Sequence, residues 1–554
     1  MSSFMLILSA CGGTAATQAP AQPSGGTGAT EVPVSATSTP AGDKKVASFI
    51  FTKEFDTLNP LYSNQWFTSI TYQMWNCYAW NYDDKNMPVP VLVKEMPSLE
   101  NGGISQDGKT ITMKLRDDIV WSDGTPITAD DFIFTYDMAM NPNNTVASQS
   151  PYDQMVSVVA SDPRTVVITF AEPYAPWVAT LWHGILPKHI LQPVFEKDGN
   201  INSAEYNRAP MVGCGPFNFV EWKAGSFAHF IANDKYWLGR PKLDEIFVRF
   251  VPDGASQIAA LKSGEGDLGT FIAYPDIPSL ESAGLQVFTA FSGYNEGIYI
   301  NMGEKGHPAL KDQGVRQAIA YALDRKSIVK DLLLDHTGIA ATYWDNTPFV
   351  DPTITPYPYD PAKAKELLDA AGWKDSNGNG TRDKDGVELV LKYGTTTREI
   401  RKQIQTIVQQ QLLEVGIGTE LFNAENFLDG YAEGGPAATG QYDIFEYSAL
   451  TNFPDPHTSE WYCDQIPTDA APDGLNWQGV CNKDLDALFD KESSQVDFAA
   501  RQATFHEISR MIFDQAYWIG YYWAPDIWAI NSRVINVKIS GATPFYNIME
   551  WDLK

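Results

Sequence analysis

The chain has 554 residues, with 68 acidic against 40 basic side chains and a formal charge of −28. A balance this acidic excludes a nucleic-acid partner, whose phosphates demand a basic footprint, and it suits a soluble exported protein. The length points to two or three structural lobes. The 16 Trp, 25 Tyr and 28 Phe exceed what cores usually need, which points to a ligand cleft or to a large core with many surface aromatics.

The N-terminal run MSSFMLILSA stops at Cys11. It is too short to span a bilayer, which takes about 20 apolar residues, and it fits the apolar part of a signal peptide, although no Lys or Arg precedes it. Leu8-Ser9-Ala10-Cys11 resembles the lipobox of bacterial lipoproteins. The resemblance implies cleavage before Cys11 and a lipid on that residue, so that residues 1–11 are signal peptide and lipobox. Residues 12–43 are Ala, Thr, Pro, Ser, Gly and Gln with one charge, Glu31, before Asp43. Such a segment buries too little apolar surface to offset ordering and reads as a flexible tether. Two or more acyl chains on Cys11 would hold the body stably at a membrane. No later stretch approaches a membrane span.

The body then mixes strand and helix signals. Val46–Phe51 is a short strand, and Asp56-Thr57-Leu58-Asn59-Pro60 a turn. Residues 69–82 begin as helix. Thr110–Leu115 alternates as a strand does, and Thr128 caps a helix whose first turn carries Asp130 and Asp131. Thr165–Phe170 is a strand, residues 213–246 two hairpin arms with an excursion, and Ile246–Phe250 a strand. Ser256–Lys262 is helical. Residues 314–334 form a helical stretch with Val315, Ala318, Ile319, Ala322 and Leu323 on one face. Asp360 caps a helix with Pro361 first and Gly372 past its end. Val387–Tyr393 is a strand, Arg398–Val415 and Asp497–Asp514 are helices, and residues 518–554 return to short aromatic strands. The class is α/β with mixed sheets.

Of the five Cys, Cys463 and Cys481 bracket a polar loop and read as a disulfide in an exported protein. Cys77 and Cys214 are either a second bridge or two buried thiols. Asp375, Asn377, Asn379 and Asp383, with Gly380 at the sixth place and the Thr381 carbonyl at the seventh, follow the spacing of an EF-hand calcium loop. Gly386 stands where the bidentate Glu belongs, so the alternatives are a structural Ca²⁺ and an ion-free loop of Asx turns. Gly264-Glu-Gly266-Asp-Leu-Gly269 fits G-x-G-x-x-G, but it follows a helix and carries two acids where a phosphate would sit. The seven His show no metal spacing, and no nucleophile–base set appears, so no cofactor and no enzymatic reaction are expected.

Four segments together resemble the large solute-binding lipoproteins of ABC importers, the dipeptide- and oligopeptide-binding type. They are Asp56–Pro60, Leu115–Tyr136 with WSDGTPITADDFIFTYD, Val212–Phe217 with Tyr236-Trp237 downstream, and the R-x-A-x-x-x-A-x-D-R-x-x-I pattern from Arg316 to Ile328. The resemblance implies a two-lobed periplasmic-binding-protein-like fold (type II with an extra subdomain), hinged on two crossover strands near residues 294–302 and 521–530. Lobe one would be residues 44–290 with the subdomain at about 85–205, lobe two 291–524, and 525–554 a return to lobe one. It also implies a monomer that closes over a peptide and delivers it to ABC permease subunits. An oligosaccharide or other uncharged polar solute is the alternative within the class, and an exported hydrolase or sensing receptor the alternative outside it.

Peptide-binding relatives carry, in a W-x-x-D-Y-P-D-P loop, an Asp that pairs with the peptide ammonium. Here the loop runs Tyr447 to Pro456 and the matching position is Asn452, which offers only a dipole. Asp455 either substitutes for it or caps the next turn. Trp461 and Trp477 are cleft aromatics or packing residues. Tyr62 and Trp66 from lobe one, and Tyr294 and Asn295 at the first crossover, complete the candidate ligand set.

Overall fold

Two long strands carry the chain between the two halves of the molecule. The computed structural model describes residues 44–180, 184–449 and 451–554. The lipobox Cys11 and the 12–43 tether lie outside them. Strands of the main sheet and of one side sheet are, in chain order, β1 Val46–Phe51, β2 Thr110–Lys114, β3 Met155–Asp162, β4 Thr165–Phe170, β5 Phe217–Lys223, β6 Phe227–Ala232 and β7 Glu245–Phe250. They continue with β8 Leu268–Thr270, β9 Leu285–Ile300, β10 Val390–Thr395, β11 Gly418–Asn423, β12 Ile444–Ser448 and β13 Trp518–Asn531.

The main sheet has ten strands in the order β11-β10-β12-β9-β13-β8-β1-β7-β6-β5. β9 and β13 pair antiparallel from Leu285↔Asn531 to Phe291↔Pro525, and again from Asn295↔Trp523 to Tyr299↔Trp518, with the register broken between Phe291 and Asn295. Before the break, β13 also pairs with β8; beyond it, β9 also pairs with β12. Each crossover strand thus belongs to lobe one at one end and to lobe two at the other. Gly297 makes this pairing possible, since a Cβ there would lie 2.4 Å from the Trp518 ring.

The cores divide the same way. One cluster's buried members, among them Phe49, Trp75, Trp121 and Phe132, run from Ala47 to Ala290 and resume only at Trp528. A second, built on Ile319, Leu391, Val408 and Ile444, lies within residues 298–522. A third joins Tyr343, Trp344, Trp461, Phe505 and Trp518. Each large side chain so buried stabilises by about 1.5–3 kcal/mol.

The antiparallel sheet β2-β4-β3 forms a layer of its own in lobe one, covered by the helix Ala129–Met140. The Asp131 carboxylate accepts the Thr128 N–H at 2.9 Å there, as a capping box requires.

Two expectations change. The 314–334 stretch is not one helix. Gln313–Ala322 ends as Leu323 turns extended (ψ 116), and Asp324 restarts a short turn by accepting the Ser327 N–H. Buried Arg325 explains the break, for its guanidinium reaches back to the Ala320, Tyr357 and Gly520 carbonyls at 2.7–3.0 Å. The stretch from Trp518 opens with one 14-residue strand, whose two halves serve two lobes, and only the two-residue strands Val534–Ile535 and Asp552–Leu553 follow it.

Candidate functional site: the cleft between the lobes

The loop from Phe453 to Asp455 projects from lobe two toward lobe one and divides the cleft. On one side is a cavity of about 320 Å³ walled by Trp66, Tyr72, Gln73, Tyr78 and Tyr152 of lobe one and closed by Phe453 and Pro454. Among the described residues none that line it is charged. Its Ser, Asn, Gln and Tyr groups offer hydrogen bonds beside aromatic faces. On the other side is a more apolar cavity of about 230 Å³, between Met96, Leu99 and Trp177 of lobe one and Phe349, Val496 and Phe498 of lobe two. Tyr82 and Pro454 border both cavities.

A buried ion-pair cluster holds the dividing loop. Arg501, 4% exposed, forks onto both oxygens of Asp455, and its Nε donates to Glu492 at 2.8 Å. The guanidinium lies 4.8 Å from the Phe349 ring centre and reaches the Ala175 carbonyl of lobe one at 3.5 Å. Burial pushes the Glu492 carboxyl up to about 7 despite Arg501. Asp455 therefore neither caps a turn nor stands free for an ammonium. Its charge is already neutralised, as burial requires.

At the hinge, Tyr294 is 44% exposed, while Asn295 is buried, its amide donating to the Gly293, Tyr343 and Asp345 carbonyls at 3.0–3.3 Å. Asn295 therefore anchors the 343–345 segment to the crossover. Half-buried Asp526 accepts from Ser292 Oγ at 3.2 Å, and burial raises its carboxyl to about 6. Arg401 binds Glu296 through Nε at 3.1 Å and a terminal nitrogen at 2.7 Å, and sits 4.3 Å from the Tyr447 ring centre. Glu446, fully buried beside that pair, is pushed well above the carboxylate range by burial first and by the Glu296 charge second.

The remaining candidates separate. Trp66 lines the polar cavity. Tyr62 does not; its hydroxyl is held by Asn144 and Asn202 at 3.2 and 2.8 Å, within lobe one. Trp461 is fully buried against Tyr343 and Trp344, so it packs the lobe-two core and is no cleft aromatic. Tyr447 and Trp477 meet at one small cavity in lobe two. Asn452 is placed by its backbone pairing with Asp455, and its side chain lies outside the described residues. The sequence reading missed Tyr82, Tyr152 and Arg501; nothing local marked them, since each is brought to the cleft from far along the chain.

Cys463–Cys481 and Cys77–Cys214 are both disulfides, which resolves the second pair in favour of a bridge. The Asp375 loop closes on itself. Asp375 accepts the amides of Gly378, Asn379 and Gly380, Asp383 turns to Ser376, and the Asn379 amide donates to Glu388. A hairpin, Asp383–Lys384 with Val387–Glu388, follows where an EF-hand has a helix. Among the described residues no group of three or more His, Cys, Asp or Glu is arranged to hold a metal ion. The loop is folded as a run of Asx turns.

Residues 88–465 match the bacterial extracellular solute-binding proteins, family 5, middle region, and the chain belongs to that family. It is a binding protein and not an enzyme, and its place is extracytoplasmic. Over 572 aligned residues it is 27% identical to the oligopeptide-binding protein AppA of Bacillus subtilis, covering 99% of this chain and 96% of that one. Among solved structures it is similar to the same AppA in complex with a nonapeptide (TM-score 0.62, 26% identity, 92% of this chain and 99% of that one). It is also similar to NikZ of Campylobacter jejuni in complex with Ni(L-His) (TM-score 0.67, 25% identity, 92% and 99%). Among the described residues no helix is long and apolar enough to cross a membrane.

Proposed function

We propose that the protein captures a short peptide between its lobes and presents it, chemically unaltered, to an ABC permease. The observation that carries this reading is the pairing of a neutral hydrogen-bonding cavity with an apolar one across a single dividing loop. A peptide offers the matching alternation of amides and side chains. The oligopeptide-binding relative supports it. Closure about the β9–β13 break is a population shift, driven only by contacts made in the closed state. The protein acts as a monomer, tethered by residues 12–43 to a lipid on Cys11; Cys11→Ser should then move it from the membrane fraction to the soluble one.

An uncharged oligosaccharide is the second reading, favoured by the absence of charge among the residues lining the polar cavity and by its aromatic walls. Thermal shift against di- to hexapeptides and oligosaccharides separates the two. A ligand at a hundred times its dissociation constant stabilises by about 2.7 kcal/mol. A melt that moves with sugars and not with peptides refutes the peptide reading.

A further inference from the structure

The walls of the apolar cavity set what it can hold. It measures about 230 Å³, room for one large side chain, and it shares Tyr82 and Pro454 with the polar cavity, so a single solute reaches both. Its lobe-one wall is rigid. The Val178 carbonyl accepts the Trp80 indole N–H at 2.7 Å and the Tyr82 hydroxyl, and Trp80 packs edge-on against Trp177 at 5.5 Å. Its lobe-two wall is the start of the helix Phe498–Asp514, where the Phe349 and Phe498 ring centres lie 5.3 Å apart. The walls meet at the rim: a Cβ on Gly108 of lobe one would lie 3.0 Å from Val496 Cγ2 of lobe two. Phe498 is 44% exposed and Met87 40%, large apolar groups left in water where the pocket opens.

The charges along these walls are engaged. Arg501 is taken by Asp455 and Glu492, and Asp497 accepts the Ala500 N–H at 2.8 Å as the helix cap. A charged group entering here gives up its hydration with no free counter-ion buried among the described lining residues. An apolar group instead displaces water that such walls hold poorly, and it touches both lobes at once. That contact exists only with the lobes shut, so it also favours closure.

We infer that this pocket selects solutes carrying a bulky aliphatic or aromatic group, and that Phe498 is the residue that reads that group. The inference rests on the solute-binding reading and adds a specificity: under peptide capture, a Leu- or Phe-sized side chain is preferred to a small or charged one. Calorimetry with trileucine and trialanine tests the solute. Trileucine should bind the wild type at least tenfold more tightly, the margin expected from burying the larger side chain. Phe498→Asp should erase that margin and keep the fold, since an acid at the first helical position suits the helix dipole. Leu99→Trp, which fills the pocket from lobe one, should erase it as well and supplies the readout should F498D melt far below the wild type. Fluorine NMR with 4-fluorotoluene tests the pocket without any peptide. Its resonance should shift and broaden with the wild type and stay unchanged with F498D and L99W. Equal measurable affinities for the two peptides, a trileucine margin that survives in both variants, or a 4-fluorotoluene response that is absent from the wild type or persists in both variants overturns the inference. Failure of both peptides to bind, with the 4-fluorotoluene response present in the wild type and lost in both variants, would instead refute peptide capture and leave the pocket's selectivity standing.

Discussion

Replacing Arg501 by Met keeps much of its apolar stem against Phe349 and removes the cation that Asp455 and Glu492 share. Both carboxylates are buried, at 6% and 2% exposure. Breaking a buried pair by removing one partner costs about 3–5 kcal/mol. Unfolding entropy of about 2.1 cal/mol/K per residue, over a body of about 500 residues, comes to about 1 kcal/mol/K, so the expected fall in Tm is about 3–5 °C if the body unfolds as one unit. Calorimetry at pH 7 measures it. At pH 5 the loss should shrink, because the orphaned Glu492, already raised by burial to about 7, takes up a proton. Adding Asp455→Asn should recover part of the stability, since one uncompensated charge is then gone. A fall of less than 1 °C at pH 7, or one that does not change between pH 7 and pH 5, would refute the account of Arg501 as the counter-ion of this loop.

The Glu492 carboxyl, raised by burial to about 7, gives stability a pH slope. An acid whose folded pKa lies above its unfolded value favours the folded state at low pH. Its contribution is complete below about 4.5 and is lost as pH rises through 7, about 3 kcal/mol in all; Glu492→Gln should flatten denaturation midpoints over that window. Reduction separates the disulfides by loop size. Cys463→Ser should cost about 3 kcal/mol, and Cys77→Ser, which opens a span of 137 residues, about 5 kcal/mol on chain-entropy grounds. A maleimide should label none of the four before denaturation and reduction. EDTA should leave the melting temperature unchanged, since the Asp375 loop is closed by its own amides; a rise of several degrees with added calcium would restore the ion.

Local signals were read well where one residue's chemistry decides. Asp360 accepts the Lys363 N–H, as its place before a helical run predicts. The alternating TITMK and TVVITF segments are paired strands of one sheet. The crossovers were placed by resemblance, since no local feature marks one strand as shared by two lobes. The cleft was less legible. Trp461 and Trp66 are the same residue type in similar surroundings of sequence, yet one fills a core and the other lines a cavity. Asp455 looked available because Arg501 lies 46 residues away. Partners brought together from distant positions leave no trace in local spacing, which is why charge-bearing candidates fared worst.

The order of the strands has a consequence for how the molecule is made. β8 and β9 lie on either side of β13, whose residues come from the last tenth of the polypeptide. Until those residues arrive, one half lacks the strand between β8 and β9 and the other lacks the edge strand beside β9, and long-range pairing of this kind is slow to form. Export machinery that threads an unfolded chain N-terminus first therefore meets no premature native structure at the seam. Conversely, a ribosome that stalls before Trp518 releases a product in which neither half can be completed.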